Sequence, residues 1–142
     1  MDILDLLCGE NELYERTLAP VQQKYRLTHT ELSILLFLAN NPSYDTANDL
    51  VRRRHMAKSH VSASVRTLEE KNLLRKEHRN GNNRTLHLVL SPVAQPIIED
   101  GRRQQRRFHE LLTCGLTDTE LRQFESTLSK IQENITIALR KE

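Results

Sequence analysis

The hydrophobic period of this sequence changes near Leu73 and returns to the helical period after Leu90, and this pattern is compatible with few folds. Before Leu73, apolar residues recur every three or four positions, which is typical of amphipathic helices. After it they alternate with polar residues, and the alternating apolar positions are Leu86, Leu88 and Leu90. An Asn-Gly pair in the middle of this segment is a turn signal. We predict a β-hairpin with strands at 73–79 and 84–90 and a loop at 80–83.

Two long helices are predicted at the start of the chain. The first covers Ile3 to Tyr25, and Gly9 and Pro20 are the places where it would be interrupted. The second begins at Thr28, because Thr28 and Glu31 have the T-x-x-E spacing of a capping box. Apolar residues then occupy every face, which indicates a helix buried in the middle of the domain.

Two shorter helices follow. Asp45 or Thr46 can cap the first of them, which ends in three consecutive arginines at 52–54. The other runs from about Ala57 to Lys71. Asn72 stands where a left-handed residue usually ends a helix, and asparagine tolerates that conformation better than most residues.

The second of these short helices has two unlike faces. Val61, Val65 and Leu68 form a thin apolar stripe at helical spacing. The other side carries small polar and cationic residues: Lys58, Ser59, His60, Ser62, Ala63 and Arg66. Short side chains let a helix axis approach base edges closely, while Lys and Arg can neutralise phosphates or bind guanine. A plainer interpretation is that Arg66 pairs with Glu69 or Glu70 on an exposed helix.

The order helix, helix, turn, helix, hairpin is that of a winged helix-turn-helix. The predicted fold class is therefore mostly α with a small β-hairpin wing. In such a fold the helix of residues 57–71 enters the major groove, and the hairpin reaches the neighbouring backbone or minor groove. Arg79 and Arg84 flank the hairpin tip, where an extended cation can enter a narrow minor groove.

Charge is concentrated in the same region. Residues 45–84 carry ten Lys and Arg against five Asp and Glu, a net charge of +5, while the rest of the chain carries −3. A basic middle between acidic ends suggests that one segment contacts a polyanion. A solvated charged surface would give the same count.

Two helices are predicted after the hairpin. Ser91-Pro92 opens a long one toward Cys114, which Pro96 and Gly101 should kink or loosen. Thr117 and Glu120 repeat the capping box at the start of the last helix. Its apolar positions recur at spacings of three and four, the pattern of a helix that packs on another helix: Leu121, Phe124, Leu128, Ile131, Ile135 and Ala138.

Composition narrows the class and location of the protein. A chain of 142 residues with 37% hydrophobic and 28% charged residues suits one globular domain. Its longest apolar run, Leu32 to Ala39, is far shorter than the roughly 20 residues that span a bilayer. The first ten residues carry three acids and no Lys or Arg, which is the wrong charge for a secretory signal. We expect a cytoplasmic protein with no membrane partner.

One segment of the chain has the sequence DLVRRRHMAKSHVSASVRTLEEKNLLRKEHRNGNNRTLHLVLSP. This segment resembles a known family, the multiple-antibiotic-resistance regulators (MarR). These are dimeric winged-helix transcription regulators. The segment follows their pattern of a short helix, a recognition helix ending LEEKGL, a wing and LTPxG. Asn72 and Ala94 stand where the family usually has glycine, and Ser91 stands where it usually has threonine.

The resemblance assigns a role to the wing. The family signature there is D-x-R followed by a small residue, and this chain has Asn82-Asn83-Arg84-Thr85. Arg84 is thereby implied to reach the minor groove. Because Asn82 replaces the usual aspartate, the bond that orients this arginine would be neutral rather than charge-assisted. The wing candidates for DNA contact are Arg79, Asn82, Asn83 and Arg84.

The resemblance also implies a dimer, whereas the apolar seams alone would equally suit a monomer that buries them within itself. In the family, the first helix and the last two interleave with those of a second subunit, so residues 1–142 would be one domain with dimerisation segments at about 1–27 and 91–142. The DNA-binding lobe would cover about 28–90. Two recognition helices about 34 Å apart would then read a near-palindromic double-stranded DNA. The implied function is a homodimeric repressor that a small ligand releases from DNA.

Such a ligand acts, in the family, near the junction of the dimer helices and the DNA-binding lobe. The candidate lining residues here are Tyr14, Tyr25, His29, Leu32 and Phe108. The interpretation that we favour for each of them is ordinary core.

Redox and metal sensing are alternative modes of regulation. Cys8 lies broadly where peroxide-sensing relatives carry a reactive cysteine, but it has no basic neighbour, so we interpret it as buried and inert. His29 with Glu31, and His109 with Glu110, could supply metal ligands. The chain lacks an i, i+4 His pair or a Cys/His cluster, so no metal site is predicted.

Two other classes of function predict sequence features unlike those of this chain. A winged-helix module that binds protein would have an apolar or acidic recognition face, unlike Ser59, Ser62 and Arg66. An enzyme would have a Gly-rich phosphate loop, a nucleophile with its base, or paired carboxylates, none of which stands out in the sequence. We predict no enzyme activity and no cofactor.

Overall fold

The structure, a computed structural model, describes residues 2–140 and is mostly helical with one antiparallel hairpin, which confirms the predicted fold class. The elements are α1 (Ile3–Tyr25), α2 (His29–Asn40), α3 (Ala47–Arg54), α4 (Lys58–Glu70), β1 (Leu74–Arg79), β2 (Asn82–Leu90), a 3₁₀ turn (Pro92–Ala94), α5 (Gln95–Thr113) and α6 (Asp118–Leu139).

Capping boxes fix the starts of three helices. Thr28 accepts the main-chain N–H of Glu31 at 3.1 Å, while the Glu31 carboxylate accepts the N–H of Thr28 at 3.1 Å. Thr117 and Glu120 form the same arrangement at the start of α6. At α3 the cap is Thr46 rather than Asp45, with Asp49 as its partner. These capping boxes are predictable from the sequence, because each depends on only four consecutive residues.

Both predicted interruptions of α1 are wrong, and α5 is continuous through Pro96 and Gly101. Neither Gly9 nor Pro20 interrupts α1, and buried Leu18 and Val21 on either side of Pro20 hold that turn in place. Pro96 lies in the first turn of α5, where a missing N–H costs no intrahelical bond. Gly101 is buried, and α5 continues through it.

The core is built around α2. Leu32, Ile34 and Leu35 are fully buried, as expected for a helix that is apolar on every face. Helices α1 and α4 and strand β2 all contact α2. Gly101 brings α5 close to the same helix, because a Cβ at that position would lie 2.6 Å from Cδ2 of Leu36.

The hairpin differs from its prediction at the tip. Strands β1 and β2 pair in register from Leu74–Leu90 to Glu77–His87, and the next pair is Arg79–Asn82. One residue of β1 therefore faces four residues of β2 in a bulge. The predicted loop of residues 80–83 is too long: the turn is Asn80-Gly81, whose φ angles of 53° and 70° are typical of a type I′ turn.

The described chain divides into two compact units, one ending at Phe108 and the other beginning at His109. The first contains the core, the helix-turn-helix and the wing. The second consists of the end of α5 and α6, and the apolar residues of α6 are largely exposed within it. Among the described residues no helix is long and apolar enough to cross a membrane.

Candidate nucleic-acid interface

Helix α4 buries one face and exposes the other. Val61, Val65 and Leu68 are at most 4% exposed and pack in the core. The predicted contact residues lie on the exposed side: Lys58, Ser59, His60, Ser62, Ala63 and Arg66. Within the described residues Arg66 forms no ion pair, and Glu69 pairs with Lys76 at 2.9 Å instead. The exposed face thus offers two cations and two hydroxyls to a partner.

The C-terminal end of α4 is anchored by an ion pair that the sequence did not reveal. Lys71 donates to the Glu31 carboxylate at 3.1 Å and to the main-chain carbonyl of Arg26 at 3.0 Å. Glu31 is buried, so the same carboxylate both caps α2 and holds the end of α4. Asn72 follows in the left-handed conformation, with φ at 60°, as predicted. These contacts fix where α4 ends relative to α1 and α2.

The wing presents Arg84 at the bulge. Asn82 accepts the main-chain N–H of Arg84 at 2.9 Å, so its side chain shapes the backbone rather than orienting the guanidinium. Thr85 bonds the other strand through its carbonyl, which lies 3.0 Å from Nδ1 of His78. Asn82, Asn83 and Arg84 are all exposed together at this tip. A bulge at a wing tip turns side chains outward, away from the ladder of paired residues.

Arg79 is placed differently from Arg84. Its guanidinium donates to Asp45 and to Glu77, each at 2.7 Å. Nδ1 of His87 lies 2.7 Å from the other oxygen of Asp45. Burial disfavours the charged form of Asp45, but the hydrogen bonds from His87 and Arg79 outweigh it and hold the pKa of Asp45 below its usual value. Arg79 is the last residue of β1, and its guanidinium is thus engaged with Asp45 and Glu77.

Two of the three arginines at the end of α3 also have defined neighbours. The Arg53 guanidinium lies 3.3 Å from the centroid of the Tyr44 ring, and that of Arg54 lies 5.4 Å from the centroid of Phe37. Both are cation–π contacts, which orient the side chains while leaving their charge in place. The exposed arginines add positive potential beside α4.

A cavity of about 430 Å³ lies within the first unit. Tyr14, His29 and Phe108 line it, three of the five residues that the sequence suggested for a ligand pocket. Tyr14 contacts both of the others edge to face, with ring centroids 6.4 Å and 5.0 Å away. Arg54 and Met56 from the helix-turn-helix also reach this cavity.

The other two suggested pocket residues lie elsewhere. The hydroxyl of Tyr25 donates to Asp100 at 2.8 Å, and that carboxylate also accepts from Lys24 at 2.7 Å. Leu32 is fully buried in the core. The sequence could not separate these residues from Tyr14, because all of them sit on apolar faces of predicted helices.

The prediction that Cys8 is buried is wrong. Cys8 is exposed rather than buried, as is Cys114. Among residues 2–140 no group of three or more His, Cys, Asp or Glu is arranged to hold a metal ion.

A helix-turn-helix followed by a two-stranded wing defines the class of this protein as winged helix-turn-helix. The MarR family model matches residues 27–84, which cover the helix-turn-helix and most of the wing. Over these residues the chain is similar to the MarR family, whose members are transcription regulators and not enzymes. No curated protein matches the chain significantly.

Solved structures share this fold across nearly the whole chain. A MarR family regulator from Listeria monocytogenes, in complex with a 26mer DNA, is 18% identical with a TM-score of 0.79, over 95% of this chain and 89% of that one. The S. aureus MepR–DNA complex is 17% identical with a TM-score of 0.73, over 92% and 93%. The organohalide-sensing regulator RdhR in its 2,4-dichlorophenol-bound form is 18% identical with a TM-score of 0.67, over 92% and 77%.

Proposed function

We propose that this protein is a sequence-specific regulator that binds double-stranded DNA through α4 and the wing. The observation that carries the proposal is the two-faced helix α4, whose apolar stripe is buried while its small, polar and cationic face is exposed. The similar folds from L. monocytogenes and S. aureus were solved with DNA, which supports the same partner here.

Each part of the interface has its own task in this proposal. Ser59, Ser62 and Ala63 let α4 approach the base edges, and Arg66 donates to a guanine or a phosphate. Lys58 and His60 lie at the start of the helix, close to the path of the backbone. Arg84, with Asn82 and Asn83, reaches the adjacent minor groove.

We propose further that two chains act together. Four apolar residues at the start of α1 are each at least 52% exposed: Ile3, Leu4, Leu6 and Leu7. Exposed apolar stripes of this kind are typical of surfaces that a partner covers. A second copy would bury these residues and those of α6, and it would present two recognition helices to a near-palindromic site.

The cavity supports control by a small ligand. It joins aromatic residues of α1 and α5 to Arg54 and Met56, which flank the turn before α4. A ligand there would contact the helix-turn-helix directly, and the RdhR structure holds a chlorophenol. We propose a cytoplasmic repressor that such a ligand releases from DNA.

Fluorescence anisotropy tests the proposal. The purified protein is titrated onto a labelled duplex from its own upstream region and onto a scrambled duplex, at 50 and 200 mM salt. We expect tight binding to the first duplex alone, with an affinity that falls steeply as salt rises, because each neutralised phosphate releases counterions. Equal, weak binding to both duplexes, repeated with tiled fragments of the upstream region, would contradict the proposal.

A further inference from the structure

Arg79 is the wing arginine whose guanidinium is already committed to other protein groups. Its Nε donates to Glu77 and one terminal nitrogen donates to Asp45, both at 2.7 Å. The same terminal nitrogen lies 3.3 Å from Nδ1 of His87. To reach a phosphate, this guanidinium would have to break its bonds to two carboxylates. The negative charges of these carboxylates would then be unpaired and would repel the phosphate.

Asp45 is the second half of this arrangement. It lies in the loop before α3, and its main-chain carbonyl accepts the N–H of Leu88 at 2.7 Å. Its carboxylate binds Arg79 from β1 and His87 from β2, and Thr46 forms an isolated bridge with His87. One short segment therefore carries both main-chain and side-chain bonds to the two strands of the wing.

We propose that Asp45, Arg79 and His87 form a wing latch, which fixes the hairpin against the start of α3. In this role Arg79 is a positioning residue, and Arg84 is the arginine that touches DNA. The two arginines differ in their partners: the Arg79 guanidinium is bound by Asp45 and Glu77, whereas Arg84 is exposed in the bulge between Asn82 and His87. The effect on DNA affinity rests on the proposed function, whereas the latch itself is a property of the free protein.

Two measurements on the full-length protein separate the latch from direct contact. Amide hydrogen exchange of residues 74–90 in the free protein reports how firmly the wing is held. The salt dependence of DNA affinity reports how many phosphates are neutralised. The variants are Asp45→Asn, Arg79→Gln and their combination, with Arg84→Gln as the contact variant. Arg75→Gln is the matched control, because within residues 2–140 the one ion pair of Arg75 is with Glu77 of its own strand, at 2.6 Å.

The latch predicts distinct outcomes for the two arginines. Asp45→Asn and Arg79→Gln should each speed exchange across the wing and weaken DNA binding by about tenfold, with the salt slope unchanged. Their combination should be no worse than either alone, because both break one unit. Arg84→Gln should leave exchange unchanged and reduce the salt slope by about one. Arg75→Gln should leave wing exchange at the wild-type rate.

Either measurement, hydrogen exchange or the salt dependence of DNA affinity, can contradict the proposed latch. Unchanged exchange in both Asp45→Asn and Arg79→Gln, with thermal unfolding as a check that each variant is folded, would show that these residues do not hold the wing. A salt slope that falls in Arg79→Gln as it does in Arg84→Gln would make Arg79 a phosphate contact. If the wild-type protein bound no DNA selectively, the proposed function would fail while the exchange arm still decided the latch.

Discussion

Gly101 shows how a single residue can be required by packing rather than by backbone conformation. It lies within α5, where its missing side chain lets the helix approach α2. Leu36, the residue it faces, is itself only 2% exposed and has little room to move. The sequence marked this glycine as a weak point of the helix, because the contact with α2 is visible only in the folded chain.

We predict that Gly101→Ala destabilises the protein by about 1–3 kcal/mol. The new Cβ would meet Cδ2 of Leu36 at 2.6 Å, so side chains of the core must shift. Urea unfolding followed by circular dichroism measures the change. Gly9→Ala is the matched control: nothing lies within 4 Å of its Cβ position, and alanine favours a helix by about 0.5–1 kcal/mol over glycine. Equal stability of Gly101→Ala and wild type would contradict the packing account.

The carboxyl of Asp100 is a single group that should make the stability of the protein depend on pH. Hydrogen bonds from Lys24 and Tyr25 lower the pKa of its carboxyl below the usual value. A carboxyl with a lower pKa in the folded state contributes stability above about pH 4, and loses that contribution as the pH falls through its folded-state pKa. In Asp100→Asn, the melting temperature should therefore fall less between pH 5 and pH 2 than in the wild type. An equal fall in melting temperature in the variant and the wild type would show that Asp100 contributes nothing to acid sensitivity.

At the scale of elements, the end of α4 depends on the pair of Lys71 and Glu31. We expect Lys71→Met to cost about 1–3 kcal/mol, because it leaves the buried Glu31 carboxylate without its cation. Lys76→Met is the matched control: Lys76 pairs with Glu69 at the surface, and such pairs contribute about 1 kcal/mol or less. Both are measured by urea unfolding. An equal loss of unfolding free energy in Lys71→Met and Lys76→Met would mean that Lys71 does not anchor α4.

Elements with local signals were predictable from the sequence. The capping boxes at Thr28 and Thr117, the left-handed Asn72 and the stripe of Val61 and Val65 each depend on residues within one or two helical turns. Strand alternation and the Asn-Gly turn also located the hairpin. The bulge was not predictable, since it depends on which residues of two strands pair, and register is set by the folded sheet.

The anchoring contacts of the site could not be predicted either. Asp45 and Arg79 are 34 positions apart, and Glu31 and Lys71 are 40 apart. Their side chains looked like ordinary caps and surface charges in the sequence. Only the tertiary structure brings them together, and this is also why Arg79 and Arg84 looked equivalent as wing arginines.

At the scale of the whole molecule, α6 carries an apolar face that its own unit leaves uncovered. Phe124, Leu128, Ile131 and Ile135 are each 43% to 54% exposed. Their spacing of three and four places them on one side of the helix. A second copy that covers this face is the basis of the proposed dimer.

We predict that Phe124→Asp shifts the protein from dimer to monomer in sedimentation equilibrium, because a buried, unpaired carboxylate is costly. Ser126→Asp is the matched control: Ser126 is exposed on another side of α6, so the same charge there should leave the dimer intact. A dimer that persists in Phe124→Asp would show that α6 does not form the interface through this face.

The central claim is that the exposed face of α4 reads DNA sequence, and Arg66 tests it most directly. Anisotropy titrations compare Arg66→Ala with Arg16→Ala, which removes the same charge from an exposed position on α1 paired with Glu12. Arg66→Ala should lose about 5- to 150-fold of the preference for the upstream duplex over a scrambled one, as expected for a lost base contact. Arg16→Ala should keep the wild-type preference. An unchanged preference in Arg66→Ala would contradict the assignment of this residue to base recognition, and the same result in Ser59→Ala and Ser62→Ala would contradict the claim for the face as a whole.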